Sequence, residues 1–212
     1  MREKRSRRRF LAVAATGLTG AVAGCLGGGS PDTNGETVDE LPTPVQGDPE
    51  ADVTVAAYED FSCPGCQAYQ LSVYPSVKEE FVDSERIRYE HHDFPVVNED
   101  WSYRIPSAAR AVQDTEGDDA FFEFTQGIFT YQGEYSFDVV EQVGNEVGAD
   151  GGVVSDAAEN LTYLPVIEAD SEAGRDLGVS STPTLTVDGE LVTPQQGEDF
   201  YQQIASAIEA AE

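Results

Sequence analysis

Positive charge is scarce in this chain. Its 212 residues hold 12 lysines and arginines against 40 aspartates and glutamates, a formal net charge of −28. Six of the twelve cations precede residue 25, where Glu3 is the only acid, so the remainder stands at −33 with Lys78 as its sole lysine. A surface of that sign excludes phosphate recognition, which needs a basic face, and no nucleic-acid partner is expected. Cysteine is scarce too. Only Cys63 and Cys66 lie beyond Cys25, which argues against an internal electron relay through further cysteines. Long apolar runs are also missing: the stretch from Phe10 to Ala23 is broken by Thr and Gly and falls short of the roughly 20 residues a spanning helix needs.

What is present begins with an address. "SRRRFL" resembles the twin-arginine export signal, with Arg7 and Arg8 as the pair, and "VAGC" resembles a lipobox, with Gly24 before the cleavage point and Cys25 as the lipidated residue. Position −3 is Val22 rather than the more usual Leu, and an uncleaved signal anchor is the alternative. Residues 1–24 are thus read as a signal peptide and 25–51, rich in Gly, Pro and Asp, as a lipid-anchored flexible tether. Two lipid chains on Cys25 give stable anchoring, and the domain is expected on the extracellular face of the membrane, where a cysteine pair can persist as a disulfide. The acidic surface repels itself in dilute buffer, but at 1 M salt the Debye length is only about 3 Å. With lysine nearly absent, the composition resembles that of an extreme halophile, a haloarchaeon.

"DVTVAAY" alternates Val53, Val55 and Ala57 against Thr54, Ala56 and Tyr58, a strand pattern. A helical stretch runs from Pro64 to about Phe81, with Pro75 expected to kink or divide it. "RIRYEHHDF" reads as a second strand, with Ile87, Tyr89 and His91 on one face. Residues 96–179 then carry apolar residues at helical spacing. "TPTLTVDGELV" returns to strand alternation around an Asp188-Gly189 hairpin turn, and a last amphipathic helix follows from Phe200. The predicted fold is α/β: β-α-β over 52–95 and β-β-α over 180–212, separated by a helical insertion over 96–179.

The stretch "DFSCPGC" puts Cys63 and Cys66 where a strand meets a helix. A sulfur there lies among unsatisfied backbone N–H groups that favour an anion and can bring the thiol pKa down from about 8.5 to ~3.5–7.5. Such a thiolate is a good leaving group, so a disulfide through it is easily reduced. Pro64 supplies helix-start geometry. Two other readings compete: a structural staple, which gains little because the loop it closes is so short, and zinc held by both cysteines with His91 and His92. Adjacent histidines in a strand point to opposite faces, which opposes the second.

"DFSCPGC" after a strand, "HHDFP" at the end of the next, the helical insertion and "VSSTPTLTVDGELV" together resemble a DsbA-like thiol:disulfide oxidoreductase of the thioredoxin superfamily, over about residues 50–210. The resemblance implies Cys63 as the attacking sulfur, Cys66 as the buried resolving sulfur and Pro183 as a cis-proline facing them, with Pro64, Gly65 and Thr182 shaping the loop. It implies no cofactor beyond the redox-active disulfide and no metal, exported protein thiols as substrates, and reoxidation by a membrane partner. Isomerase or reductase activity uses the same residues, and a non-redox tethered binding module keeps only the fold. Two departures stand out. Strongly oxidising members carry a histidine between the cysteines, where this chain has Pro64 and Gly65, and the acid often found six positions before the first cysteine is replaced by Ala57. Glu59 and Asp60 are read as solvated or structural, His92 as a surface residue, and Trp101 as a cap on the insertion.

Overall fold

In the computed structural model residues 35–97, 99–195 and 199–212 are described; Arg7, Arg8 and Cys25 of the expected export signal lie outside them. Five strands form one sheet in the order β1-β3-β2-β4-β5: β1 Val45–Gly47, β2 Val53–Glu59, β3 Ile87–Asp93, β4 Thr184–Val187 and β5 Glu190–Val192. β2 and β3 run parallel, with Val53 opposite Ile87 and Glu59 opposite Asp93, while the remaining pairs are antiparallel. The central β2 is buried on both sides. Val53, Val55 and Ala57 join the main core, and Ala56 and Tyr58 pack with Phe94 and Val179 on the other face. The alternation in the sequence therefore sorts two apolar faces rather than an inside and an outside.

The helical run after β2 is α1 Pro64–Ala68, a π-helical stretch Tyr69–Val73, α2 Tyr74–Val77 and a second π-helical stretch Lys78–Val82. Pro75 stands in the first turn of α2, so the widened stretch before it ends where proline can no longer donate. Helix α8, Phe200–Ala211, packs on α2 and β4, and Asp199 caps it by accepting from the Tyr201 amide at 3.0 Å. The β-α-β and β-β-α halves expected from the sequence are both present, and the fold is thioredoxin-like with a helical insertion.

Between the halves lie α3 Trp101–Glu116, α4 Asp118–Phe129, α5 Phe137–Glu146, α6 Gly151–Asn160 and α7 Leu164–Asp176. The first four pack on one another, and Phe121, Phe124 and Phe129 carry the main core from the insertion into the sheet. Helix α7 departs from the expectation of one insertion through residue 179, because it lies on β3 and covers the second face of the sheet. Gly174 permits that approach: a Cβ there would sit 2.8 Å from the Phe94 ring.

Over its described part, from residue 35, the expected tether is also corrected. Val45–Gly47 pair with β3, the Val38 amide donates to Thr162 O at 2.8 Å, and Val38 and Leu41 pack on Ala111, Ala157, Tyr163 and Val166. Apolar contacts too sparse to read as a helix or strand suffice to dock this segment. Gly47 ends β1 at φ +84, where a Cβ would lie 2.3 Å from Ile87 O.

Candidate active site

The end of β2 and the start of α1 set the two sulfurs at different depths. Cys63 is the residue before the first helical turn, with φ −83 and ψ 120, and Pro64 opens α1. The loop leading to it is fastened from several sides. Asp60 Oδ1 accepts from the Ser62 amide at 2.8 Å, and Asp60 Oδ2 accepts from the Val96 and Val97 amides at 2.8 Å each. From the insertion, Gln132 Nε2 donates to Phe61 O at 2.7 Å and to Cys63 O at 3.0 Å, and the Tyr135 hydroxyl donates to Phe61 O at 2.9 Å. The Phe61 ring stacks on Phe129 with centroids 4.8 Å apart.

Cys63 and Cys66 are free thiols, the first half-buried and the second 0% exposed. The Cys66 sulfur accepts from the Asp60 amide at 3.4 Å. Facing Cys63 is the segment before β4, where the Thr182–Pro183 peptide bond is cis and the Cys63 thiol meets Thr182 O at 3.4 Å. Gly65 completes the contact: a Cβ there would lie 3.0 Å from Pro183 Cδ and 3.6 Å from Cys63 Sγ. The structure thus brings Cys63, Cys66, Pro64, Gly65, Thr182 and Pro183 into one site.

These surroundings split the two thiols. The hydrogen bond from the Cys66 thiol does most to bring the Cys63 pKa down to about 5; the Thr182 hydroxyl and the backbone N–H groups of Cys66 and Gly65 help, while burial opposes them. Thr182 accepts from the protonated thiol through its carbonyl, and its buried, otherwise unpartnered hydroxyl is the donor that a thiolate can use. Burial first, then the hydrogen bond to Cys63, pushes the Cys66 thiol well up. Only about 1% of Cys63 stays protonated at pH 7 on these terms. Titration of thiolate absorbance in the reduced protein is expected to show a first midpoint near 5, drifting lower from low to high KCl as the field of the acidic surface is screened. A midpoint near the ordinary 8.5 in a folded protein would overturn this account.

The family model described as Thioredoxin matches residues 39–206. The chain belongs to the thioredoxin family. Among its relatives is "Disulfide bond formation protein D" of Bacillus subtilis (strain 168), 24% identical over 179 residues that cover 78% of this chain and 75% of that one. Solved structures with the same fold include oxidised BdbD from Bacillus subtilis, at 20% identity and TM-score 0.71, covering 84% of this chain and 98% of that one. DsbA from Chlamydia trachomatis aligns at 18% identity and TM-score 0.68, covering 84% and 95%.

This thioredoxin-family chain keeps a buried charge network behind Cys66 that hydropathy alone does not disclose. Glu59 and Asp60, read as solvated or structural, are each 1% exposed. Glu59 Oε1 accepts from Gln70 Nε2 at 2.6 Å and faces His91 Nδ1 at 3.6 Å, while Glu59 Oε2 is buried without a hydrogen-bond partner. His91 Nε2 meets Asp93 Oδ1 at 3.2 Å, and Asp93 Oδ2 accepts from Arg110 Nε at 2.8 Å. His92, read as a surface residue, is half-buried and stacks on Tyr58 with centroids 4.8 Å apart. The two histidines occupy opposite faces of β3, and among the described residues no group of three or more His, Cys, Asp or Glu is placed to hold a metal ion.

Proposed function

We propose that the chain is an extracytoplasmic thiol:disulfide oxidoreductase that forms disulfides in exported proteins through the Cys63–Cys66 couple. The observation that carries this reading is the asymmetry of the two thiols, one half-exposed and acidic, the other buried and basic, across from Thr182 and Pro183. A substrate thiolate attacks the Cys63 sulfur of the disulfide, a mixed disulfide forms there, and Cys66 leaves. A second substrate thiolate attacks the substrate sulfur and releases Cys63 as its thiolate. The low pKa of Cys63 serves that release. Cys66 leaves as a thiolate into a buried space and then takes a proton, and Glu59 is the titratable neighbour whose charge bears on it. Two electrons pass to the protein, and a membrane partner is the proposed acceptor that takes them on. The proposal places Cys25 as the lipid anchor and the Arg7–Arg8 pair as the export address, with high salt as the working medium.

A thiolate favoured over the thiol stabilises the dithiol state and so makes the disulfide more oxidising. The two pH units between 5 and 7 convert to about 2.7 kcal/mol, or about 60 mV, before solvent screening of the half-exposed sulfur reduces them. Equilibration against glutathione buffers in high salt, read by thiol alkylation and mass, is expected to give a potential well above the roughly −270 mV of thioredoxin. The potential should fall by about 30 mV per pH unit between pH 5 and 8, where one proton accompanies two electrons, and by about 59 mV per unit below about 5, where two do. A potential at or below that of thioredoxin makes reductase the better description. A pair that never titrates leaves only a binding module on the same fold.

A further inference from the structure

Beside Cys63 the surface opens into a groove of about 330 Å³ lined by Ser62, Pro64, Glu99, Trp101, Gln132 and Tyr135. That volume is at the bottom of the range for ligand sites and suits one long side chain better than a multi-ring molecule. Two of its walls are flat: the Trp101 and Tyr135 rings lie 5.9 Å apart between centroids, and Phe137 backs Trp101 at 5.4 Å. The insertion thus contributes more than a cap here. Its indole forms part of a surface that Ser62 and Pro64, the two chain neighbours of Cys63, also line.

The polar atoms of the groove are biased toward accepting. Gln132 spends its Nε2 on Phe61 O and Cys63 O, and Tyr135 spends its hydroxyl proton on Phe61 O. That leaves Gln132 Oε1 as the free end of the amide. Ser62 Oγ is buried and does not face a ligand, while Glu99, exposed, brings a carboxylate to the lining. Aromatic faces with acceptors and one carboxylate match a donor-rich cation on an apolar stem, which is what arginine and lysine present.

We propose that this groove receives an arginine or lysine side chain of the polypeptide substrate, close in sequence to the cysteine that reacts with Cys63. The inference rests on the oxidoreductase reading and narrows its substrate class. It differs from attraction by the overall charge of −28, which would act on any basic peptide at any position and fade at high salt. A contact pair over an aromatic face survives at a Debye length of about 3 Å.

The test uses the full chain, oxidised, in about 0.1 M and about 1 M KCl. Reduced two-cysteine peptides carry arginine, norleucine or glutamate at one position, scanned across the residues flanking the first cysteine. At one or two positions the arginine peptide is expected to be oxidised about tenfold faster than the norleucine peptide, in both salts. Glu99→Gln and Trp101→Leu should each reduce that ratio to below about threefold. Glu209→Gln, which removes one exposed charge on α8, should leave it unchanged. A ratio near one at every position, or one that is the same at all positions and vanishes at about 1 M KCl, overturns the groove assignment. Reduced glutathione separates the two claims. If it reduces the Cys63–Cys66 disulfide while no peptide preference exists, only the groove fails, and if neither glutathione nor any peptide does so, the oxidoreductase reading fails first.

Discussion

Cys66→Ser is expected to abolish turnover and to leave a protein that stops at a mixed disulfide. With oxidised glutathione, the Cys63 thiolate forms a bond to one glutathione sulfur and expels the other as thiolate, and no second sulfur stands behind Cys63 to resolve the product. Peptide mass analysis should find one glutathione on Cys63, removed by added thiol and counted apart from any on Cys25. Cys63→Ser should form none at Cys66, which is 0% exposed and whose thiol is pushed well above the ordinary range. Alkylation of Cys66 and Cys63 in the two variants, read by peptide mass apart from Cys25, divides ionisation from access. At pH 7 Cys63 is nearly all thiolate while Cys66, pushed well above the ordinary range, is nearly all thiol, and the lower nucleophilicity of the more acidic sulfur returns part of that advantage. Ionisation and burial both favour Cys63 there. At pH 5 Cys63 is still about half thiolate while the Cys66 thiolate falls a further hundredfold, so the advantage from ionisation widens by about 50-fold. Serine retains a hydroxyl that can donate to Cys63, whereas Cys66→Ala removes the largest cause of the low pKa. The pH 5 advantage should therefore shrink in Cys66→Ala, and equal rates at pH 5 for Cys63 and Cys66 would refute the asymmetry.

That asymmetry was half legible in the sequence. The spacing of Cys63 and Cys66 at a strand-helix junction is a local signal, and so are the alternation through β2 and β3 and the Asp188-Gly189 turn, which is why these elements could be read one residue at a time. β1 was not legible because three residues between Pro44 and Pro49, the last of them Gly47, carry no period, and their pairing partner lies more than forty residues away. The burial of the acids was illegible for a related reason, and of the two expectations for Glu59 and Asp60, solvated or structural, it favours the structural one. Hydropathy assigns a charged residue to solvent by default, and only a partner from a distant element reverses that. For Asp93 the partners are His91 on its own strand and Arg110 on α3, and for Asp60 they are the amides of Val96 and Val97. A signal did exist. Ile87, Tyr89 and His91 fall on one face of β3, the same period continues to Asp93, and Arg110 sits in the otherwise apolar "SAARAV" of α3. Charges at core-facing positions of two elements imply that they meet, but one sequence cannot say with which partner.

Arg110→Met is expected to destabilise the fold by about 3–5 kcal/mol at neutral pH, the cost of leaving a buried charge without its partner. For a domain of this size that corresponds to a fall of roughly 6–20 °C in Tm. Arg110 is 0% exposed, and its guanidinium ties four segments together: Nε to Asp93 Oδ2 at 2.8 Å, Nη2 to Asp170 Oδ2 on α7 at 2.5 Å, and Nη1 to Gln113 Oε1 at 3.1 Å and to Pro42 O at 3.5 Å. Methionine fills similar space over Phe121 but makes none of these bonds. The pH dependence tests whether charge is the cause. Burial alone would push the Asp93 carboxyl up, yet Arg110 and then His91 carry it down to about 2. A depressed carboxyl contributes stability that is full above its unfolded pKa of about 3.9 and is lost as the pH falls through about 2. His91 runs the other way: burial opposes its charge, but Asp93 and Glu59 raise it to about 9, so its contribution is full below about 6.5 and is lost as the pH rises through about 9. In Arg110→Met the Asp93 pKa rises, and protonation of Asp93 relieves the unpaired charge. The stability gap between wild type and variant, measured by denaturant unfolding, should therefore narrow from pH 7 towards pH 3. A gap that keeps the same size across that range would mean that Arg110 acts through packing, and the buried pair with Asp93 would lose its place in holding the insertion to the sheet.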